Sequence, residues 1–332
     1  MKVTTKTHTA ALTRGYTIAL VAAAILSTTA IFIHYLTETY HVPALVLAFW
    51  RDAFVVVTLL PVLARFQPKL LKVERRHVPY LALYGLVLAL FNSLWTLSVA
   101  LNGAAVSTVL VYSSAAFTAL LGWWLLKEPL GWVKLVGVVF SLAGCVFVSG
   151  AYDPSVWGAN LLGILCGILA GLAYAGYSLM GRSASQRGLS PWTTLLATFG
   201  FAALFLLAFN LAPGGILPGS ATRPADLLWL GDAWAGWGVL FILAALPTVL
   251  GYGLYNVSLT HLPSSVANLV ATTEPAFTAV TAYVLLNERF SLIQIGGGCL
   301  ILGGVLFLRL FEGRSITSIT SLTTSLRRRN KT

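Results

Sequence analysis

Residues 265–307 read SVANLVATTEPAFTAVTAYVLLNERFSLIQIGGGCLILGGVLF, and at a shift of 160 residues they lie without a gap over residues 105–147, AVSTVLVYSSAAFTALLGWWLLKEPLGWVKLVGVVFSLAGCVF. "AFTA" recurs at 116–119 and 276–279, "LL-x-E" at 125–128 and 285–288, and Gly137 and Gly144 fall on Gly297 and Gly304. About a quarter of the aligned positions are identical, which suggests a duplicated unit. Both copies are almost continuously apolar and too long for barrel strands with alternating faces, so the repeated element is a pair of membrane-crossing helices.

Composition agrees with this reading. The chain has 332 residues, 58% of them hydrophobic and 9% charged, with a mean hydropathy of +0.84. Soluble domains carry about 25% charged residues, and a core in water cannot absorb this much apolar surface. A soluble enzyme, a secreted disulfide scaffold and a disordered chain are excluded. Cys145, Cys166 and Cys299 are scattered through apolar runs and read as packing residues, with no disulfide framework and no metal site. No two histidines have ligand spacing, and no cofactor is expected.

A helix crossing the hydrocarbon core needs about 20 apolar residues. That ruler places ten spans at 15–37, 43–64, 78–100, 104–126, 132–150, 157–180, 191–211, 235–258, 264–286 and 291–311. The first is too long for a signal-peptide core and reads as a retained helix. The segment 212–234, rich in Pro, Gly, Asp and Trp, is either an interfacial segment or a plain loop. With ten spans, Lys2, Lys6, Arg14, Arg65, Lys69, Lys72, Arg75, Arg76, Lys127, Lys134, Arg182, Arg187 and the tail LRRRNKT all fall on one side. Basic loops stay in the cytoplasm, so both termini are expected there, and the net charge of +11 is a topology signal rather than a nucleic-acid footprint. Residues 312–332 read as a basic disordered cytoplasmic tail.

Five spans per copy is an odd number, so the second copy enters the membrane upside down. The expected fold is all-α and polytopic, with two inverted five-helix repeats at 15–150 and 157–311. Glu128 then maps to the cytoplasmic side and its counterpart Glu288 to the outer side. Inverted repeats are the usual plan of secondary transporters, whose substrate sites lie near the midplane where the repeats meet.

The pattern SSAAFTALLGWWLLKEPL with its echo TTEPAFTAVTAYVLLNERFS resembles the EamA-type repeat of the drug/metabolite transporter superfamily, over essentially all of 15–311. Within it the chain is most similar to the YddG-like exporters of aromatic and other neutral amino acids. The resemblance implies a multi-pass protein of the cytoplasmic (inner) membrane. One departure is Ser114-Ala115, where many members, like the second copy here with Glu274-Pro275, have a polar residue and a proline.

Ionisable residues at mid-membrane cost roughly 2.5–3.5 kcal/mol each on insertion scales and so need a reason. Arg51, Asp52 and Glu274 are the clear cases. Pro275 removes a backbone hydrogen bond beside Glu274 and can leave a carbonyl facing a cavity. Glu274 either receives a substrate ammonium or a coupling proton, or ties two helices together. Arg51 and Asp52, about 100° apart on one helix, should not share a partner. Asp52 is expected to pair with a neighbouring helix and Arg51 with Glu274 or a substrate carboxylate, or the two form a structural lock. Tyr84, Asn92, Trp95, Ser114, Tyr174, Tyr252, Tyr255, Asn256 and Thr272 complete the candidate binding set, as polar and aromatic residues in stripes at helical spacing. The glycine face Gly163, Gly167 and Gly171 reads as close helix packing, and Trp123, Trp124, Trp132, Trp157, Trp192, Trp229, Trp234 and Trp237 as interfacial belts.

No nucleotide-binding loop and no hydrolase or metalloprotease motif is present, so ATP-driven transport and catalysis lack support. The function expected is secondary transport of a small amphipathic metabolite by alternating access. A phosphorylated substrate would want clustered mid-depth cations, and only Arg51 is available. A neutral zwitterion fits better, with aromatic amino acids favoured by the resemblance. The alternatives are a broad-specificity drug or metabolite exporter and a membrane-embedded enzyme. Ten spans are compatible with a monomer in the bilayer.

Overall fold

The computed structural model describes residues 2–148, 150–156, 161–212, 217–286 and 291–329, and every regular element among them is helical. In chain order these are α1 (Lys2–Leu26), α2 (Thr29–Tyr40), α3 (Ala44–Phe66), α4 (Val78–Tyr112), α5 (Ser114–Leu126), α6 (Trp132–Val148), α7 (Leu161–Gln186), α8 (Pro191–Asn210), α9 (Trp234–Leu243), α10 (Val249–His261), α11 (Ser264–Ala271), α12 (Glu274–Leu286) and α13 (Leu292–Arg329). Eight helical runs among the described residues are long and apolar enough to cross a membrane, and α6 is a shorter apolar helix. The backbone of α13 stays helical to Arg329, through the segment read from sequence as a disordered tail. Glu288, Arg289 and the start of the sixth expected span at 157–160 lie outside the described residues.

The 35 residues of α4 are not one rod. Ser98 Oγ donates to Ser107 Oγ at 2.9 Å. Nine residues of straight helix would separate them by about 13 Å. The helical chain therefore bends back between them. Gly167 of α7 receives both arms: a Cβ there would lie 2.6 Å from Leu110 Cδ1 and 2.8 Å from Ser98 Oγ. Gly171 approaches the carbonyls of Leu110 and Val111 in the same way, so this glycine face is a packing surface.

Helices of the first half pair with helices of the second. α4 packs on α7, α1 on α10, α3 on α8, α5 on α11 and α6 on α13. The last pair shows why the sequence keeps its glycines. Gly144 faces Gly297 and Gly137 faces Gly304, with backbones touching in an antiparallel crossing. One apolar core runs through the bundle, from Tyr16 in α1 to Leu308 in α13. A second, smaller cluster around Leu36, Val46, Leu230 and Leu243 closes the end that carries residues 217–234.

Among its described residues that end segment carries a 3-10 turn at Pro224–Leu228. Indole N–H groups pin it: Trp50 donates to the Leu227 carbonyl at 2.6 Å and Trp229 to the Tyr40 carbonyl at 3.0 Å. Trp50 thus belongs to this end, edge-on to Trp237 at 5.0 Å. Trp123, Trp124, Trp132 and Trp234 are exposed, as an interfacial belt requires.

Candidate functional site

Four helical runs bend in the middle, and the bends have local causes. α1 gives way to α2 at Ser27–Thr28, whose hydroxyls bond back to the carbonyls of Ala24 and Ile25. Pro247 sits in a π-helical turn, Ala244–Thr248, between α9 and α10. α4 stops at Ser113 and α11 at Thr272–Thr273. These last two interruptions match bond for bond at the 160-residue shift. Ser113 N–H donates to Leu110 O, and Ala116 and Phe117 donate to Ser113 O; Thr273 N–H donates to Val270 O, and Ala276 and Phe277 donate to Thr273 O. In each case a hydroxyl residue supplies a second donor to the same freed carbonyl.

Glu274 is the first residue of α12, where the helix dipole favours a carboxylate. Pro275 follows in the first turn, where a helix tolerates proline because that N–H has no intrahelical partner. The helix is interrupted just before Glu274, as the polar, proline-bearing stretch led one to expect, and the proline starts the half-helix that follows. Glu274 is partly exposed although Thr272, Thr273, Pro275 and Ala276 around it are buried. The Tyr112 hydroxyl lies within hydrogen-bonding reach of its carboxyl. Tyr112 was not among the sequence candidates, but the 160-residue shift places it on Thr272, beside the paired interruptions.

Arg51 and Asp52 are both buried in α3. Here the structure corrects the sequence reading. Rather than facing different partners, Arg51 folds back along its own helix, and its Nε and Nη2 both donate to Asp52 Oδ1 at 3.3 Å. The flexible arginine stem bridges the 100° between neighbouring positions. Among the described residues no Arg51–Glu274 ion pair forms. Asp52 does reach a neighbouring helix, accepting from Asn92 Nδ2 at 3.0 Å. The Asn92 Oδ1 on the same amide is buried without a partner. The guanidinium has five N–H groups, and only two are engaged by a described residue. Arg51, Asp52 and Glu274 each act electrostatically on the Tyr252 hydroxyl.

The remaining candidates divide. Ser114, Tyr255 and Asn268 form one chain with Ser178: Ser114 Oγ donates to Asn268 Oδ1 at 3.1 Å, Asn268 Nδ2 to Ser178 Oγ at 3.0 Å, and Ser178 shares a 2.7 Å bond with Tyr255. This chain links α5, α11, α7 and α10. Tyr174, Tyr177 and Tyr255 stack with ring centroids 6.1–6.4 Å apart, and Phe91 stacks on Tyr174 at 5.1 Å. Tyr84 and Asn256 sit further along, against Gly181, where Tyr177 bonds Asn256 Oδ1 at 3.3 Å. All these rings are buried, so they fill space rather than line an open pocket. Thr272 spends its hydroxyl on the Leu269 carbonyl of its own helix. Trp95 is partly exposed and packs between the two apolar clusters. Of the candidate residues, Trp95 and Glu274 therefore keep accessible surface while the others are buried.

Among the described residues no group of His, Cys, Asp and Glu could hold a metal ion. The arrangement instead offers an acid at a half-helix N-terminus, an arginine with donors to spare, unpartnered buried amide and tyrosine atoms, and a sealed tyrosine layer on one side.

Comparison with known proteins agrees with this architecture. The EamA-like transporter family profile matches twice, at residues 13–150 and 161–310. An uncharacterised transporter of Synechocystis is 26% identical over 225 residues, 65% of this chain; the match spans only 62% of that protein's length. The threonine/homoserine exporter RhtA of Salmonella typhimurium LT2 is 27% identical over 244 residues, 72% of this chain and 74% of its own. Its Escherichia coli K12 counterpart is 26% identical over 237 residues, 70% and 72% of the two chains. A solved crystal structure shares the fold with a TM-score of 0.71, covering 91% of this chain and 98% of its own at 16% identity. With two matches that together take in most of its length and a bundle of long apolar helices, the chain belongs to the EamA-like transporter family and is a multi-pass membrane protein.

Proposed function

We propose that this protein is a secondary transporter that exports, or passes down a gradient, small neutral amino acids by alternating access. In this reading ten crossings form two inverted five-helix units, 15–150 and 157–311, with both termini in the cytoplasm of a cell whose inner membrane holds the protein. The observation that carries the proposal is Glu274, a partly accessible acid at a half-helix terminus, in a bundle that also buries the Arg51–Asp52 pair with guanidinium donors to spare. A zwitterion matches that set: its ammonium meets Glu274 and its carboxylate meets the spare Arg51 donors, each a charge-assisted bond. Asn92 bonds Asp52, and Tyr112 and Tyr252 interact electrostatically with Glu274. The similarity to threonine/homoserine exporters favours a small side chain such as that of threonine or homoserine over an indole.

The test is uptake of labelled threonine, homoserine, phenylalanine, tryptophan and a sugar into proteoliposomes, with and without a pH gradient. Saturable uptake of threonine or homoserine, reduced at least tenfold in Glu274→Gln and in Trp95→Ala, is the expected result. Faster flux of tryptophan than of threonine would restore the aromatic-exporter assignment. Undiminished flux in both variants would remove the site. Accumulation only under an imposed gradient would make Glu274 the proton carrier as well.

A further inference from the structure

At the end of the bundle that carries Lys127 and Lys134, a carboxylate from the first half is embedded in the second. α5 ends with Lys127 in the left-handed region at φ 55°, and the Glu128 N–H returns to the Gly122 carbonyl at 3.0 Å. This turn sends the Glu128 side chain across to the start of α11. Its Oε1 accepts from Ser264 N–H at 2.6 Å and Ser264 Oγ at 2.8 Å; its Oε2 accepts from Ser265 N–H at 3.2 Å and Ser265 Oγ at 2.6 Å. Lys134 Nζ donates to the same Ser265 Oγ at 2.8 Å and to the Pro129 carbonyl. Glu128, Lys134, Ser264 and Ser265 are all buried. Gly122 leaves the space, since a Cβ there would stand 3.0 Å from Oε2.

Helix capping is a partial account of these contacts, because the two elements joined are both half-helices. α5 begins at the Ser113 interruption and α11 ends at the Thr272–Thr273 interruption, so each is hinged beside Tyr112 and Glu274. Between latch and hinge the two are joined once more, by Ser114 and Asn268. Between these bonds α11 is buried along its length, as are Ala115, Thr118 and Ala119 of α5, so the two half-helices pack closely over this stretch. At the 160-residue shift Ser264 and Ser265 fall on Ala104 and Ala105, so the first half has no hydroxyl donors at the matching place.

We propose that the Glu128 carboxylate, clasped by Ser264 and Ser265 and backed by Lys134, is the latch that holds this end shut, and that its release admits substrate to the Glu274 site from that side. The proposal rests on the alternating-access reading above. Its four hydrogen bonds to one carboxylate are charge-assisted, about twice the strength of neutral ones. With the latch closed, substrate reaches Glu274 only from the opposite end.

The experiment needs no substrate, so its failure is separable from failure of the amino-acid assignment. A reporter cysteine replaces Ala267, buried in α11 between latch and hinge, with the three native cysteines changed to alanine. A membrane-impermeant maleimide is applied to inside-out vesicles and the labelling rate followed. The latched parent is expected to label slowly, Glu128→Ala at least tenfold faster, and the Ser264→Ala/Ser265→Ala pair severalfold faster. Labelling of the folded Glu128→Ala protein at the parent rate would overturn the proposal. Should Glu128→Ala fail to fold, the serine pair decides, since it keeps the carboxylate and both backbone donors; parent-rate labelling there has the same consequence. Acceleration in right-side-out vesicles alone would show that this end does not face the cytoplasm, and would overturn the stated side of entry.

Discussion

Replacing Gly144 with alanine tests the α6–α13 crossing most directly. A Cβ on Gly144 would lie 2.7 Å from the Gly297 carbonyl oxygen, 2.9 Å from the Ile301 nitrogen and 2.6 Å from Ile301 Cγ1. A Cβ on Gly297 would lie 2.7 Å from Phe147 Cβ, 2.8 Å from the Val148 nitrogen and 2.9 Å from the Gly144 oxygen. Two of the three obstacles in each case are backbone atoms, which cannot swing aside as a side-chain tip can. Ordinary contact is about 3.5 Å, so the helices must separate by roughly half an ångström or more. Overpacking of this kind costs about 1–3 kcal/mol, and alanine recovers only about 0.5–1 kcal/mol of helix propensity. Gly144→Ala and Gly297→Ala should therefore each destabilise by about 1–2 kcal/mol, and together by less than the sum, because one separation accommodates both. The same helix supplies the control. Gly296 and Gly303 have nothing within 4 Å of a Cβ, so alanine there should stabilise by up to about 1 kcal/mol. Unfolding in mixed micelles, followed by circular dichroism, measures both signs. Equal shifts for Gly144→Ala and Gly296→Ala would refute the crossing, since propensity alone cannot distinguish them.

Two further predictions concern the ends of the bundle. Arg182 donates through Nη1 to the Leu259 carbonyl at 2.7 Å and the Thr260 carbonyl at 3.2 Å, capping the last turn of α10 from α7. Arg182→Met should cost about 1–2 kcal/mol and expose the amides near His261 to hydrogen exchange, whereas an unchanged exchange pattern would show the cap to be idle. In the 217–234 loop, the Asp226 carboxylate accepts from the Thr222 hydroxyl and the Thr222 and Arg223 N–H groups, and these bonds hold its pKa below the ordinary carboxylate value. A depressed pKa means the loop order it supplies is complete above the unfolded pKa and is lost as pH falls through the folded one. Tryptophan fluorescence should accordingly show an acid transition below the usual Asp range that Asp226→Asn abolishes; a transition surviving the substitution would assign it elsewhere.

Much of this molecule was legible without coordinates because lipid simplifies the code. Continuous apolar runs of helix length, the 160-residue echo and glycines at matching places identify crossing helices and their close contacts from one-dimensional pattern alone. The expected break between the third and fourth spans lies between Ser98 and Ser107, whose hydroxyl bond requires the chain to bend back there. Gly167 and Gly171 were read as packing, and their backbones do meet α4. Glu274, Arg51 and Asp52 stood out because a charge in hydrocarbon is costly wherever it occurs.

Partners were another matter. Arg51 curls onto its own neighbour, Tyr112 turns to Glu274, Thr272 turns back on its helix, and Glu128 buries itself in serines 136 and 137 residues away. A long side chain can reach several neighbours at nearly equal energy, and packing of separate helices selects among them. The sequence thus determined the solvent, the helices, their interruptions and the costly groups, because those follow from local pattern and transfer energy. Only the tertiary structure decided which polar atoms meet and which tyrosines fill space, because those depend on the three-dimensional closing of one half of the chain on the other.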